Sequence, residues 1–529
     1  MAMIKKLSVL THACRFSIAV MACAAISAHA ASKTSGASKP FKLEEATIAQ
    51  IHQAMAAGQI TSVELVMQYL SRIEAYDQKG PKLSSIILVN PQAVSDAKAL
   101  DDEYKKTRRL RPLHGIPVLI KDNMETAGIQ TTAGSLSLKG YVPQKDAFIT
   151  KKLKDAGAIV IAKTNLHEFA VWGESVSSLG GQTLNPYDLT RTPGGSSGGT
   201  GAALAANFGA VGIGTDTINS IRSPASANSL VGLRPTLGLV SRGGIVPYSL
   251  TQDTAGPITR TVADAAKVLD AIAGYDSQDA VTAGSVGHQP KTYTAALDKT
   301  GLKGARIGLL KSFFGSGPEH TDTNAVINQA AESMRKAGAT IVTIQDPVDA
   351  NELVSKISVH LYDLEKDLDS YLEQLPGDVE VHSLKEVIAS GKYHQGIEAN
   401  IKQAVTLDAN SVEYKERLIR RANLQTHVLK IMADNQIDAV MFPHQKRLVV
   451  PVGQTQVERN GVLGSVTGFP SIVLPAGFSA PSETAPIGVP VGMELLGRPY
   501  SEPTLIKIGY SFEQQTHARK PPVSTPSLR

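Results

Sequence analysis

The sequence predicts an α/β fold. Helical patterns alternate with short apolar strand patterns along the first part of the chain, and strand patterns punctuated by glycine and proline return near its end. Of the 529 residues, 42% are hydrophobic and 19% charged, which is typical of a globular protein with a large buried core. The length corresponds to roughly three average domains, although one α/β enzyme domain can be as large.

The first thirty residues resemble a secretory signal peptide. A basic start is followed by a mostly apolar run at 16–26 and by Ala28-His29-Ala30, a small-residue cleavage pattern. We therefore expect cleavage after Ala30 and a periplasmic or secreted protein. The apolar run is too short to span a bilayer comfortably, and no later segment approaches about 20 uninterrupted apolar residues, so stable membrane insertion is not expected.

Two classes of function are excluded by composition. Both cysteines, Cys14 and Cys23, lie in the predicted leader, so a mature chain would have no disulfide, no cysteine-ligated zinc and no thiol nucleophile. Three of the basic residues behind the formal net charge of +5 also lie there, and only 5% of the residues are aromatic. The sequence therefore shows neither the basic surface nor the stacking residues of a nucleic-acid-binding protein.

The remaining chain is expected to form one domain over 44–520, between a disordered lead-in at 31–43 and a tail at 521–529. The lead-in is rich in Ser, Lys and Gly and lacks apolar periodicity. Thr61 and Glu64 have the spacing of a capping box, and the apolar residues that follow share one helical face. Apolar runs and glycine stops then predict a strand at 86–89, a short helix at 146–155 and a strand at 158–162.

The segment from about 275 to 435 is richer in charged, helix-forming residues, especially at 352–375 and 414–433. We expect it to form a variable, mostly helical layer that is inserted into the sheet or lies at its periphery. Strand patterns return at 437–442, 471–474 and 491–496.

The strongest chemical signal lies between Thr192 and Pro224. The loop Gly194-Gly-Ser-Ser-Gly-Gly199 leads into a helix of small residues at 202–208, a strand at 210–214 and a turn that ends at Ser220. The backbone N–H groups of such a turn can surround a bound carbonyl oxygen, which is the geometry of an oxyanion hole.

The glycine loop has three alternative explanations. A flexible linker would not run directly into an apolar helix and strand, and a phosphate-binding loop would need a lysine that Gly199-Thr200-Gly201 lacks. The loop also matches the nucleophile-elbow pattern, with Ser196 as an α/β-hydrolase nucleophile. An elbow must follow a strand, whereas the preceding segment 185–193 holds two prolines and no apolar run.

Lys121 is the candidate base for a serine nucleophile. It ends the apolar run of the segment 113–121 and is followed by Asp122, so it is either a paired structural charge or a catalytic amine. Burial lowers the pKa of a lysine, and a neutral amine accepts a proton from a hydroxyl. The thirteen histidines are scattered, and none stands beside a suitable aspartate and glycine-flanked serine.

On these residues the sequence resembles the amidase signature family, most closely the secreted bacterial peptide amidases and aryl acylamidases. The match consists of Lys121, the loop that holds Ser196, and Ser220, with the two serines 24 positions apart. Similarity is continuous from about 44 to 520 and includes the segments 132–135, 163–168, 252–257 and 497–503. The resemblance implies an α/β/α sandwich on one large mixed β-sheet, no metal or organic cofactor, and the hydrolysis of linear carboxylic amides.

The same resemblance implies roles for individual residues. Ser220 would attack the carbonyl, Ser196 on a cis peptide bond would relay the proton, and neutral Lys121 would receive it. Ser197, Asp216 and Arg222 would support the site, the last two as a structural ion pair. The oxyanion would be held by the backbone N–H groups of Thr217, Ile218, Asn219 and Ser220.

Two departures from the family pattern stand near the site. Ile218-Asn219 replaces the usual Gly-Gly, so either the oxyanion hole differs in shape or Ile218 adopts an ordinary β conformation and lends its side chain to the substrate pocket. Phe442-Pro-His-Gln445 replaces the usual Pro-Thr, so the wall of the acyl or leaving-group pocket is expected to differ from that of the family.

The expected function is that of a serine amidohydrolase whose partner is a small-molecule or peptide amide. The alternatives are an esterase with Ser196 as nucleophile and a catalytically silent amide-binding protein in which Ile218 disrupts the oxyanion hole. The tRNA-charging amidotransferase component with this fold is disfavoured by the predicted leader, since export would separate the protein from tRNA. The sequence predicts neither the physiological amide nor the oligomeric state.

Overall fold

A mixed β-sheet of eleven strands is the centre of the computed structural model, which describes residues 41–528. A short hairpin, β4 with β5, pairs outside this sheet. The strands are β1 Ile86–Val89, β2 Pro117–Lys121, β3 Ile159–Thr164, β4 Val176–Ser177, β5 Gly181–Gln182, β6 Val211–Asp216, β7 Val231–Arg234, β8 Thr254–Thr259, β9 Arg306–Leu310, β10 Thr340–Ile344, β11 Ala439–Pro443, β12 Ser471–Phe478 and β13 Pro490–Leu496.

The strand order in the large sheet is β1-β3-β2-β6-β8-β7-β12-β13-β11-β9-β10. β2 lies between β3 and β6 and is parallel to both, whereas the pairs β6–β8, β8–β7, β7–β12 and β12–β13 are antiparallel. Because β2 and β6 are parallel neighbours, their carboxyl ends lie at the same edge of the sheet. Those ends hold Lys121 and Asp216, so this pairing positions the candidate site.

Helices pack against the sheet, and the predicted α/β fold with one large mixed sheet is confirmed. The α-helices are α1 Ile48–Ala56, α2 Ser62–Ile73, α3 Ala93–Thr107, α4 Phe148–Asp155, α5 Gly198–Ala205, α6 Arg222–Ala227, α7 Val262–Ile272, α8 Thr321–Lys336, α9 Ala350–Glu352, α10 His360–Leu372, α11 Leu384–Ser390, α12 Glu398–Ala404, α13 Val412–Asp434, α14 Val462–Thr467 and α15 Glu502–Thr516.

Local patterns located several of these elements correctly. The capping box is present, because the Thr61 side chain accepts from the Glu64 N–H and the Glu64 carboxylate accepts from the Thr61 N–H. β1 has the predicted bounds, while α5 begins at Gly198, immediately after the serines, rather than at 202. The earlier start places the first turn of α5 beside the loop that holds Ser196.

The segment from 275 to 435 differs from its predicted, mostly helical character in two ways. β9 and β10 lie within it and form a parallel edge of the main sheet. The helix expected over 352–375 is interrupted, because a π-helical turn at Leu353–Ile357 is followed by an extended residue, Ser358, before α10 starts. β10 is not predicted by the sequence pattern, because it is a half-exposed edge strand of five residues without a continuous apolar run.

The helical part of this segment packs beside the site. Leu364, Leu368 and Leu372 of α10 share a buried cluster with Phe169 and Tyr248. Residues of α13 join a second buried cluster with β11, α14 and the short turn after β9. The layer therefore shares buried apolar clusters with residues outside it, including Phe169, Tyr248 and β11.

The C-terminal tail is fixed by specific contacts. The buried Arg72 guanidinium donates to the carbonyl oxygens of Thr525 and Pro526, at 2.8 and 2.9 Å, and the Tyr76 hydroxyl also donates to Pro526. Residues from Leu43 onward form one compact unit. The predicted leader and the lead-in up to residue 40 lie outside the described residues. No helix between residues 41 and 528 is both long and apolar enough to cross a membrane.

Candidate active site

Lys121 is the last residue of β2, and its side chain is fully buried. Its Nζ lies 2.7 Å from Ser196 Oγ and 2.7 Å from Thr215 Oγ1. Burial lowers the pKa of Lys121 to about 7, against the opposing effect of the negative charges of Asp216 and Asp253. A large fraction of this amine is therefore neutral near pH 7 and able to accept a proton.

Ser196 lies in a loop with close backbone packing. The Gly195–Ser196 peptide bond is cis, and Ser196 is fully buried. The Ser175 hydroxyl holds the loop, since it donates to the carbonyl oxygen of Gly194 at 2.8 Å and accepts from the N–H of Gly198 at 2.9 Å. A Cβ at Gly199 would lie 2.2 Å from the backbone oxygen of Asn165, so only glycine fits there.

Ser220 ends the turn that follows β6, and it lines a cavity. Within residues 41–528 its hydroxyl makes no hydrogen bond, whereas its carbonyl oxygen accepts from the N–H of Ser197 at 3.3 Å. The Ser197 hydroxyl in turn bonds both the N–H and the carbonyl oxygen of Thr215. Ser197 therefore fixes the glycine loop to β6 and to the turn.

The backbone of the turn is oriented through its carbonyl groups. The Gln252 side-chain amide donates to the Thr217 oxygen at 3.1 Å, and Arg222 donates to the Ile218 oxygen at 2.9 Å. In the part of the chain that the structure describes, the N–H groups of residues 217–220 have no acceptor. A turn held by its carbonyls with four free N–H groups can bind an oxyanion without rearrangement.

Ile218 and Asn219 are not among the residues with positive φ, so the replacement of Gly-Gly does not strain the backbone. Both line the cavity, and Ile218 also packs against the apolar cluster that includes Phe313. Of the two alternatives raised by the sequence, the structure has an ordinary conformation at Ile218 with its side chain in the pocket wall.

Asp216 and Arg222 form the expected ion pair. The guanidinium of Arg222 contacts both carboxylate oxygens of Asp216 at 3.0 Å, and Arg234 donates to the same carboxylate at 2.9 Å. Burial acts to raise the pKa of Asp216, but the two arginines outweigh it and hold this pKa far below its ordinary value. The charges therefore fix the start of the turn in one arrangement.

The replaced segment at 442–445 lies behind the turn rather than in the cavity wall. Nδ1 of the buried His444 is 2.7 Å from a carboxylate oxygen of Glu494, and Glu494 also accepts from Arg222. None of these three side chains lines the cavity. The replaced residues therefore do not line the cavity themselves, and the histidine belongs to the buried charge network.

The cavity that contains Ser220 has a volume of about 240 Å³. Besides residues 217–220, its wall includes Trp172, Tyr248, His360 and Arg459, none of which belongs to a sequence motif described above. Arg459 lies over the Trp172 ring at 4.9 Å and pairs with Glu174 at 3.0 Å. These residues come from four distant segments, so no local pattern could have grouped them. The one sequence feature that could have drawn attention to this wall is Trp172, the single tryptophan of the chain.

The helical layer also contributes residues to the wall. Ala350, Val354 and His360 all belong to the segment 275–435. Among residues 41–528, no group of three or more His, Cys, Asp or Glu side chains is arranged to hold a metal ion.

Comparisons with known proteins identify the family of this chain. A family model described as Amidase matches residues 64–506. The chain is 36% identical over 505 residues to a probable amidase of Arabidopsis thaliana, covering 92% of this chain and 93% of the relative. It is 33% identical over 505 residues to one component of the glutamyl-tRNA(Gln) amidotransferase of Microcystis aeruginosa, covering 90% of this chain and 99% of that relative.

Among solved structures, the native peptide amidase from Stenotrophomonas maltophilia superimposes with a TM-score of 0.82 at 38% sequence identity, covering 91% of this chain and 99% of that one. The family match extends over most of the chain and includes every candidate residue discussed above. The chain belongs to the amidase family and is an amidase.

Proposed function

We propose that this amidase hydrolyses linear carboxylic amides, namely carboxamides, anilides or C-terminal peptide amides, through an acyl-enzyme on Ser220. The observation that carries the proposal is the 2.7 Å contact between Lys121 Nζ and Ser196 Oγ, next to a turn whose N–H groups and terminal serine hydroxyl have no partner among residues 41–528. A base, a relay and an oxyanion hole are then present in one place.

In the first step, Ser220 Oγ attacks the amide carbonyl carbon. A C–O bond forms, the carbonyl π electrons move to the oxygen, and the N–H groups of 217–220 stabilise that oxyanion. The Ser220 proton passes to Ser196, while the Ser196 proton passes to the neutral amine of Lys121.

In the second step, the tetrahedral intermediate collapses and the C–N bond breaks. Ser196 gives its proton to the leaving nitrogen and is reprotonated by Lys121, so that ammonia or an amine departs. Water then attacks the ester on Ser220 by the same relay, which releases the carboxylic acid and restores Ser220. The acyl group moves from the leaving nitrogen to Ser220 and then to water, the other transfers are of protons, and the steps balance without an oxidant or a reductant.

The proposal is favoured over an esterase with Ser196 as nucleophile. Ser196 is buried, its oxygen contacts the lysine, and the segment before it is not a strand. The proposal is also favoured over a silent binding protein, because Ile218 leaves the N–H groups of the turn unpaired within the described chain. Hydrolysis is preferred to a tRNA-dependent reaction because of the 38% identity to a peptide amidase and the predicted leader.

The proposed location is the periplasm or the exterior of the cell, after cleavage of the leader behind Ala30. The support is the sequence of residues 1–30. Cell fractionation with N-terminal sequencing tests it, since the mature chain should begin at Ala31. An intact Met1 terminus in a cytoplasmic fraction would overturn this part of the proposal.

The activity is tested with the purified mature chain alone and a panel of three amides, namely N-acetyl-L-leucinamide, acetanilide and an amidated tripeptide. We expect release of ammonia or amine from at least one of them and no release by Ser220→Ala. A wild-type chain that releases nothing from all three, or a Ser220→Ala variant with full activity, would overturn the proposal.

A further inference from the structure

His360 lines the cavity that contains Ser220, but the proposed mechanism does not use it. The residue stands at the start of α10, where its imidazole packs edge-on against Tyr248, with ring centres 5.4 Å apart. Its Nδ1 lies 2.7 Å from Ser358 Oγ. Its Nε2 has no hydrogen-bond partner within residues 41–528.

The hydrogen bonds behind the ring have a fixed direction. Gln252 Oε1 accepts from the N–H of Val359 at 2.9 Å, and Gln252 Nε2 donates to the Thr217 carbonyl oxygen at 3.1 Å. A backbone N–H can only donate and a carbonyl can only accept. The orientation of the Gln252 amide is therefore determined by its two backbone partners.

This orientation determines which nitrogen of His360 carries the proton. The Ser358 hydroxyl has one proton, which it donates to Gln252 Oε1 at 2.9 Å. Its contact with His360 must therefore be a bond donated by Nδ1–H to the serine oxygen. Burial lowers the pKa of His360 to about 4, so the ring is neutral at pH 7 and Nε2 holds a lone pair.

The position of Ser196 indicates which part of the substrate lies beside the Nε2 lone pair of His360. The leaving nitrogen has to receive its proton from Ser196, which does not line the cavity. The cavity volume beside His360 therefore takes the acyl part of the substrate. The carboxylate in the wall, that of Glu458, is already bonded to His320 and Arg447.

We propose that Nε2 of His360 accepts a hydrogen bond from an N–H group on the acyl part of the substrate. The enzyme would thereby select amides whose acyl group carries an N–H, as N-acyl amino-acid amides and peptide amides do. This inference rests on the proposed function. His360 contacts the substrate away from the reacting bond and determines specificity.

The test uses a pair of isosteric substrates, N-acetyl-L-leucinamide and the analogue in which an ester oxygen replaces its acyl N–H. The analogue loses the hydrogen bond and places an oxygen lone pair against Nε2. We expect the wild-type kcat/KM to favour the N–H substrate by roughly tenfold to a hundredfold. His360→Phe keeps a ring but removes the acceptor. In this variant the ratio of kcat/KM for the N–H substrate to kcat/KM for the ester analogue should therefore fall to near one.

The matched control is Val354→Ala, which changes the same wall without altering an acceptor. It should change kcat/KM for both substrates by similar factors and keep the wild-type ratio. An unchanged ratio in His360→Phe, or equal rates with both substrates in the wild type, would overturn the inference and leave the proposed function standing. A wild-type chain inactive on both substrates and on the whole amide panel would instead overturn the proposed function, and the inference with it.

A second measurement does not depend on the folding of a variant. In ¹⁵N-histidine NMR of the wild-type chain near pH 7, His360 should show a protonated Nδ1 and an unprotonated Nε2. The Nε2 signal should shift upfield when N-acetyl-L-leucine, the reaction product, is added, and should not shift with its O-acetyl analogue. A proton on Nε2, or equal responses to the two ligands, would overturn the inference.

Discussion

Lys121 and Ser196 are 75 positions apart in the chain, yet Nζ of the lysine lies 2.7 Å from Oγ of the serine. The contact arises because β2 delivers the lysine at the edge of the sheet, while the Ser175 hydroxyl holds the glycine loop beside it. Both side chains are excluded from solvent. The amine is therefore dehydrated at the point where a hydroxyl proton is available.

The first prediction is a pH dependence of activity. The reaction needs neutral Lys121, and burial places the pKa of this lysine at about 7. The kcat/KM value for a neutral amide should therefore rise with pH through about 7 and reach a plateau above it. A profile that is flat between pH 6 and 9, or one that falls in this range, contradicts the role of the lysine.

The second prediction concerns the pH dependence of stability. It measures the free-energy cost of burying Lys121 independently of the role of this residue in catalysis. In the unfolded chain a lysine pKa is about 10.4, so between roughly pH 7 and 10 the unfolded state binds more protons at this residue. Stability from this group is therefore lowest below pH 7 and rises toward pH 10. Lys121→Met lacks this dependence and should be inactive but more stable than wild type at pH 6.

Thermal unfolding of both chains from pH 6 to 10 checks this prediction. The melting temperature of Lys121→Met should exceed that of the wild type at pH 6, and this difference should decrease as the pH increases. All other titrating groups are common to the two chains, so a difference that is constant with pH would mean that Lys121 is not buried as a dehydrated amine.

The third prediction is the effect of removing the proton relay. Ser196→Ala keeps the turn and the nucleophile but breaks the path from Ser220 to Lys121. We expect kcat to fall by about 100-fold to 10,000-fold, with a much smaller change in KM. Thr192→Ala, a buried substitution in the same stretch of chain whose hydroxyl has no partner among residues 41–528, is the control and should remain active. A Ser196→Ala variant with near wild-type kcat would exclude the relay.

The fourth prediction concerns the buried charges beneath the turn. Asp216→Asn removes the only negative charge within direct contact of Arg234 among residues 41–528 and one of two that contact Arg222. Leaving buried guanidinium charges without their partner should reduce the free energy of unfolding by about 3 to 5 kcal/mol. Urea unfolding measures it. Asp102→Asn removes exposed ion pairs with Lys98 and Lys105 and should cause no measurable change.

Short-range patterns were sufficient to select the candidate catalytic residues. Lys121 was visible as a charge at the end of an apolar run, and Ser196 and Ser220 as serines in turns rich in small residues. The same patterns could not predict the distance between them, because that distance depends on β2 and β6 being parallel neighbours.

The cavity wall could not be predicted for a related reason. His360 follows an interruption in a helix that the sequence suggested was continuous, and its protonation depends on Gln252, which lies 108 positions away. Trp172 and Arg459 meet only because two loops pack together. The composition of the cavity wall thus depends on tertiary contacts between segments without a common sequence pattern.

The most direct test of the central claim is to treat the mature protein with a fluorophosphonate probe and to locate the adduct by mass spectrometry after digestion, with Lys121→Ala in parallel. The account predicts an adduct on Ser220 that is largely lost in the variant. An adduct on Ser196 that persists without the lysine, or no adduct on either serine, would contradict it.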